Sequence, residues 1–292
     1  MTTQSPTPST THSPDLYALV IRLAAASTTT LRATQGHLAH AAFLDIINQA
    51  DPTIAQALHD YNGRKPFTLS QLEGFGRGRD GQHRINAGQE GWLRVTLLDP
   101  VLFQTFIQYF LRGRNQATLH LNSATFLISE ILSNPQSHPL AGYHTLERLF
   151  THWQTIKPDP RQHHTIHLNF RSPTAFSLRG YEQRHRHMHI LPDPALIFGE
   201  LAGYWDRLTG QDTQDAIREF SAVHVVVARH KIETHMFQYT NGKQVGFTGD
   251  VSFQILEPDT EFIKQLNLLA DLAFYTGLGT KTTQGMGQVM RR

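Results

Sequence analysis

Residues 276–292 read Thr276-Gly-Leu-Gly-Thr-Lys-Thr-Thr-Gln-Gly-Met-Gly-Gln-Val-Met-Arg-Arg292. Gly277, Gly279, Gly285 and Gly287 form two G-x-G units that bracket a polar segment with one cation, Lys281. Glycine permits positive φ and close approach of another backbone, and a run of exposed N–H groups in such a loop makes a concavity for anions. With Arg291 and Arg292 beside it, the loop reads as a phosphate cradle. The competing reading is a mobile Gly-rich hairpin before a terminal strand. Its neighbours fix its place in the fold: residues 259–274 carry Phe262, Ile263, Leu266, Leu269 and Leu272 at helical spacing, and Val289-Met290 is strand-like. The loop thus joins a helix to a closing strand.

Working back from the loop, residues 164–177 are strand-like, residues 196–208 helical, and residues 220–232 contain the strand-forming run Val223-His-Val-Val-Val227. Residues 236–239 and 243–256 pair around Asn241-Gly242, a strong hairpin signal. The order approximates βαββαβ. The first half has the same rhythm: a strand over 15–26, a helix over 36–50, a second short helix begun by Asp51-Pro52, strands over 67–75 and 91–98, a helix over 100–111 and a strand over 117–131. A loop over 133–143 and a helix over 144–154 connect the halves. The predicted fold is α+β, two tandem ferredoxin-like (RRM-like) βαββαβ domains at 15–132 and 144–292, after a Ser/Thr/Pro-rich disordered tail at 1–14.

Composition narrows the function classes. Hydrophobic residues make up 39% of the 292 and aromatic residues 10%, enough for packed cores; no apolar run approaches the roughly eighteen residues of a membrane span. There is no cysteine, which excludes disulfides, thiolate metal sites and a cysteine nucleophile. The tail lacks the basic and apolar regions of a signal peptide, so the expected location is cytoplasmic. Net charge is only +2, yet arginines gather at 77, 79 and 84 and at 161, 171, 179, 184 and 186, a pattern suited to a polyanion.

Three stretches in order resemble the CRISPR-associated repeat-processing endoribonuclease family, the sixth Cas family, which cuts precursor CRISPR RNA. They are the Gly-rich loop 277–287, Phe170-Arg-Ser-Pro-Thr-Ala-Phe176, and Asp51-Pro-Thr-Ile-Ala-Gln-Ala-Leu-His-Asp60 followed by Lys65-Pro-Phe-Thr-Leu-Ser70. The likeness runs from about Leu16 to Arg292. It implies two ferredoxin-like domains, binding of CRISPR repeat RNA, and cleavage without metal or cofactor to a 2′,3′-cyclic phosphate and a 5′-hydroxyl. It leaves open other CRISPR effector subunits and a homodimer as partners, while the composition implies no membrane.

Such cleavage needs a base for the 2′-hydroxyl proton, an acid for the leaving oxygen and a cation for the charge on phosphorus. The catalytic candidates are His59, His40, His37 and Lys65. His37 and His40 share a face near the start of the first helix, where the helix field favours a phosphate and lowers imidazole pKa. His59 and Lys65 match one family pattern by spacing, but the tyrosine that completes it falls at Leu44, and His40 or His37 is left to replace it. RNA-binding candidates are Gly277, Gly279, Lys281, Gly285 and Gly287 in the loop, with Arg171, Arg184 and Arg186. On this view the loop holds RNA and the cutting histidines lie in the other domain. His185, His187 and His189 would share one face of a strand and resemble a metal site, but flanking arginines repel a cation and no acidic trio completes it; the segment reads as a basic hairpin against RNA, with no metal. Two rival functions stand beside the leading one: a non-catalytic repeat-RNA-binding subunit, and a metal-dependent hydrolase using those three histidines.

Overall fold

Leu16-Tyr-Ala-Leu-Val-Ile21 contains no charged residue, and a strand built from it needs cover on both faces. The computed structural model describes residues 15–32, 35–76, 82–112, 117–179, 186–239 and 242–292, and it places this run at the centre of a sheet. Strand β1 (Leu16–Ala25) leads through β2 (Thr29–Arg32) to helices α1 (Gly36–Ala50) and α2 (Pro52–Asp60). Then come β3 (Phe67–Leu69), β4 (Gln82–Ile85), β5 (Glu90–Leu97), α3 (Pro100–Arg112), β6 (Thr118–Leu121) and β7 (Ala124–Leu132). The sheet runs β3-β5-β1-β7-β6 with antiparallel neighbours, while β2 and β4 form a separate ribbon. Without that ribbon and β6, the arrangement is ferredoxin-like.

Alternation along β1 divides its burial. Tyr17, Leu19, Ile21 and Leu23 pack with Phe43 of α1, Phe67 and Phe106 of α3. Leu16 and Ala18 belong instead to the core of the second half. In α1 the buried positions Ala39, Ala42, Phe43, Ile46, Ile47 and Ala50 follow helical spacing. Asp51 caps α2 by accepting the N–H groups of Thr53 and Ile54.

Strand β8 (Gly142–His144) joins β1 and is followed by α4 (Leu146–Thr155), α5 (Pro160–His163), β9 (Thr165–Thr174), β10 (Phe176–Arg179), β11 (Arg186–His189) and α6 (Pro194–Thr209). The chain continues through α7 (Gln214–His224), β12 (Val225–Tyr239), β13 (Gly242–Ile255), α8 (Thr260–Thr276), a 3-10 turn at Thr282–Gln284 and β14 (Val289–Arg291). The second sheet, β12-β13-β9-β14, repeats the strand order of the first. β10 and β11 make a hairpin outside it.

Several details depart from the sequence expectation. The strand over 117–131 is two strands, turned at Asn122 with φ 58°, a conformation asparagine tolerates. Residues 220–224 belong to α7, because Ile217, Phe220 and Ser221 form its buried face; Val223 is 69% exposed, and the strand begins only at Val225. Gly242 opens the returning strand. Residues 1–14, the expected tail, lie outside the described residues, as does Asn241.

The two halves lock through Arg94 on β5, buried among them. Its guanidinium donates to the carbonyls of Leu140 at 2.9 Å and Phe274 at 2.6 Å, and to Oε1 of Gln288 at 2.7 Å. Burial pulls it down to about 9, partly offset by Tyr275 and Glu73. The Gln288 amide in turn donates to Thr68 Oγ1 and the Leu69 carbonyl, both at 3.2 Å. Removing one partner from such a buried charged cluster costs about 3–5 kcal/mol.

Candidate active site

The Gly-rich loop leaves α8 and crosses to the first half before returning as β14. Gly277, Gly279, Gly285 and Gly287 all have positive φ, and so does Lys281 at 58°. At Gly287 a Cβ would lie 2.0 Å from the Leu278 carbonyl oxygen, so only glycine closes the loop on itself. The tightest approach lies across the junction: a Cβ on Gly36, the first residue of α1, would lie 1.5 Å from the Gln284 carbonyl oxygen. The loop rests on the start of that helix.

The cradle expected from exposed N–H groups takes another form. Gly277 donates to the Ala273 carbonyl, Gly287 to the Pro173 carbonyl and Thr280 to the Ala175 carbonyl. Gly279 donates to Oε1 of Glu200 at 2.9 Å. These donors are taken up within the protein, where they hold the loop's shape.

That shape brings the loop to a histidine. His40 Nδ1 lies 3.1 Å from the Thr283 carbonyl oxygen, and its ring stacks near Phe67 at 5.7 Å. Burial lowers its pKa, the Thr283 contact opposes that, and Lys65 lowers it further. A carbonyl can only accept, so Nδ1 carries the proton of the neutral ring and Nε2 keeps its lone pair. The loop and a histidine of the other half, as expected from different domains, are thus in direct contact.

The other candidates separate. His37, one turn away, has a lowered pKa from burial and then from Arg32, and its Nδ1 is buried with no hydrogen-bond partner among the described residues. His59 is exposed at the end of α2, and its ring makes no hydrogen bond or ion pair among the described residues. Lys65 donates to the carbonyls of Leu58, Tyr61 and, at 3.3 Å, His59. Its ammonium thus closes the C-terminal end of α2, where the helix field favours a cation.

Between the halves lies an open cleft of about 620 Å³, walled by residues 62–65 on one side and by Ser177, Tyr204 and residues 279–283 on the other. Glu200 on α6 sits behind it and pairs with Arg64 at 2.8 Å. Burial pushes the Glu200 carboxyl above the usual range, while Arg64 and the Gly279 N–H pull it back. Arg64 also lies 4.5 Å from the Tyr204 ring centroid. Lys281 faces the cleft with its ammonium pKa lowered by burial. Arg64, Glu200 and Tyr204 were not singled out from sequence. A signal existed: Arg64 stands beside Lys65, and Glu200 is a lone carboxylate among Ile197, Phe198, Leu201 and Ala202.

The remaining basic candidates are occupied or undescribed. Arg171 pairs with Glu73 at 3.2 Å. Arg291 and Arg292 pair with Asp271 and Asp250, each at 3.2 Å. Arg184 and His185 lie outside the described residues, and for Arg186 the structure describes only its backbone in β11. His187 and His189 do share that strand, and no group of three or more metal-ligating side chains occurs among the described residues. No helix among them is long and apolar enough to cross a membrane.

Residues 15–151 match the CRISPR Cas6 N-terminal domain, and residues 168–289 match the CRISPR-associated endoribonuclease Cas6 family. The chain is 28% identical over 128 residues to the CRISPR-associated endoribonuclease Cas6 of Streptococcus thermophilus, a match covering 41% of this chain and 47% of that protein, about half of its length. Among solved structures it resembles a Cas6 product complex at 28% identity and TM-score 0.78, covering 95% of this chain and 100% of that one. It also resembles Thermus thermophilus Cas6 at 26% identity and TM-score 0.71, covering 96% and 100%.

Proposed function

The chain belongs to the Cas6 family, and on that premise we propose that it binds CRISPR repeat RNA across the cleft and cuts precursor CRISPR RNA by attack of a ribose 2′-hydroxyl on the adjacent phosphate. The observation that carries this reading is the contact of His40 Nδ1 with the Thr283 carbonyl, which leaves Nε2 as a neutral base.

His40 Nε2 takes the proton from the 2′-hydroxyl, and the 2′-oxygen forms its bond to phosphorus as the bond to the 5′-oxygen breaks. Lys281 and Arg64, both on the cleft wall, stabilise the charge on the non-bridging oxygens. The 5′-oxygen leaves with a proton from Lys281, whose burial makes its ammonium a readier donor. The products are a 2′,3′-cyclic phosphate and a 5′-hydroxyl. Side chains handle every proton and charge, so this scheme calls for no metal ion.

The test is incubation with repeat RNAs in EDTA, with end-group analysis of the products. The cyclic phosphate and 5′-hydroxyl should appear, and RNA with a 2′-deoxyribose at the scissile position should bind uncut. The base must be neutral and the donor protonated, so kcat/KM should rise with pH through an inflection below about 6.5 and fall through one below about 10.4. Loss of cleavage in EDTA, or a 3′-hydroxyl product, overturns the scheme; binding without any cleavage leaves a repeat-RNA-binding subunit in its place.

A further inference from the structure

Arg64 borders a second cavity that the scheme above does not use. It is an apolar groove of about 410 Å³ between α2, the start of α3 and the end of α6, lined by Leu58, Tyr61, Val101 and Leu208 with Arg64 and Arg207 at its rim. Tyr61 is unusual there. Its ring lies against Gly63, where a Cβ would come within 2.7 Å of the Cζ and Oη atoms. Lys65 Nζ sits 5.8 Å from the ring centroid and donates to Tyr61's own carbonyl. The ring is therefore backed by the chain and held beside a cation, yet 45% of the residue remains exposed.

We infer that Tyr61 is a stacking platform for an unpaired nucleobase of the bound RNA next to the scissile phosphate. This rests on the reading of the cleft as an RNA site. The two cavities share Arg64, so one strand can place a phosphate in the cleft and a neighbouring base in the groove. Charge favours a nucleotide over an apolar peptide side chain: Arg64 and Arg207 both line the groove. The acid beside them, Asp99, is engaged by the N–H groups of Val101 and Leu102. The guanidiniums of Arg64 and Arg207 lie 4.5 and 4.7 Å from the Tyr204 ring centroid, which holds two planar cations at the rim.

The experiment uses uncleavable repeat RNA with a 2′-deoxyribose at the scissile position and 2-aminopurine placed in turn at each flanking nucleotide. At one position the fluorescence should fall on binding. Tyr61→Phe should keep that quenching. Tyr61→Ala should abolish it and weaken binding about five- to a hundredfold, the range for loss of one base–aromatic stack. Because the ring is exposed, thermal melting should be little changed in both variants. The inference is overturned if the bound, uncleavable RNA quenches at no position, or if Tyr61→Ala binds as tightly as the parent. A change of oligomeric state in Tyr61→Ala without any optical response overturns it too, in favour of a protein contact. If the parent neither binds nor cuts repeat RNA, the reading of the cleft falls and this inference with it, a result distinct from a defect confined to Tyr61.

Discussion

In the first βαββαβ unit the last helix, α3, returns to its sheet through the β6–β7 hairpin; in the second, α8 returns through the Gly-rich loop and three residues of β14. The first helices of the two units differ in a matching way. Helix α6 has Pro194 in its first turn, and Asp193 accepts the Leu196 N–H. Helix α1 has Gln35 before it, with no side-chain cap, and begins at Gly36, against which Gln284 of the loop is seated. A helix that closes its own end needs nothing from elsewhere. One left open can receive a loop from the other unit, and here that loop sets the orientation of His40. Two units of one topology thus bring one candidate site together by diverging at one connection and one helix start.

The largest expected effect strikes the first unit at His40. His40→Ala should slow single-turnover cleavage by about 100-fold or more, the usual worth of a general base, with repeat-RNA affinity nearly unchanged. His59→Ala, on the exposed end of α2, should change the rate by less than about threefold, under 1 kcal/mol. If the two results are exchanged, the site does not lie where α1 meets the loop.

A smaller effect tests the helix start itself. Gly36→Ala sets a methyl against the Gln284 carbonyl, so the loop must shift; overpacking of this kind costs about 1–3 kcal/mol, and cleavage should fall by about tenfold. The control is Gly203→Ala in α6, whose Cβ meets only the tip of the Gln214 side chain. It should cost about 1 kcal/mol, one side-chain hydrogen bond, and leave cleavage intact. Denaturant melts and cleavage rates on both variants decide whether the seat of the loop on α1 matters for function or only for packing.

The smallest effect belongs to the closed helix. Asp193→Ala removes the cap of α6 and should cost about 1 kcal/mol, read as a lower melting temperature with an unchanged cleavage rate. A large loss of activity would mean that α6 serves the site through more than Glu200 and Tyr204.

The repeated topology was legible in sequence because it rests on periodicity: the apolar run at Leu16–Ile21, the helical spacing in α1 and α8, and the turn signal after Tyr239 are all local. The errors were local conflicts settled by packing. The valine run beginning at Val223 has β-propensity, but the buried face of Ile217, Phe220 and Ser221 keeps the chain helical to His224. The site was legible only in part. Glycine spacing marks a special loop, but the contact of Thr283 with His40 spans 243 positions, and no periodicity reports it. Nor does spacing show where a donor goes: Lys65 reads as a free cation until the α2 carbonyls that hold it are seen.

The Arg94 junction bears on the order in which the molecule is made. Arg94 leaves the ribosome early, while its acceptors at Phe274 and Gln288 are polymerised some 180 and 194 positions later. Until then the nascent first unit carries an unmatched guanidinium on the surface destined to be sealed, and water is its best partner. Burying it before those acceptors exist would cost free energy, and the same charge fastens the halves once α8 and β14 arrive.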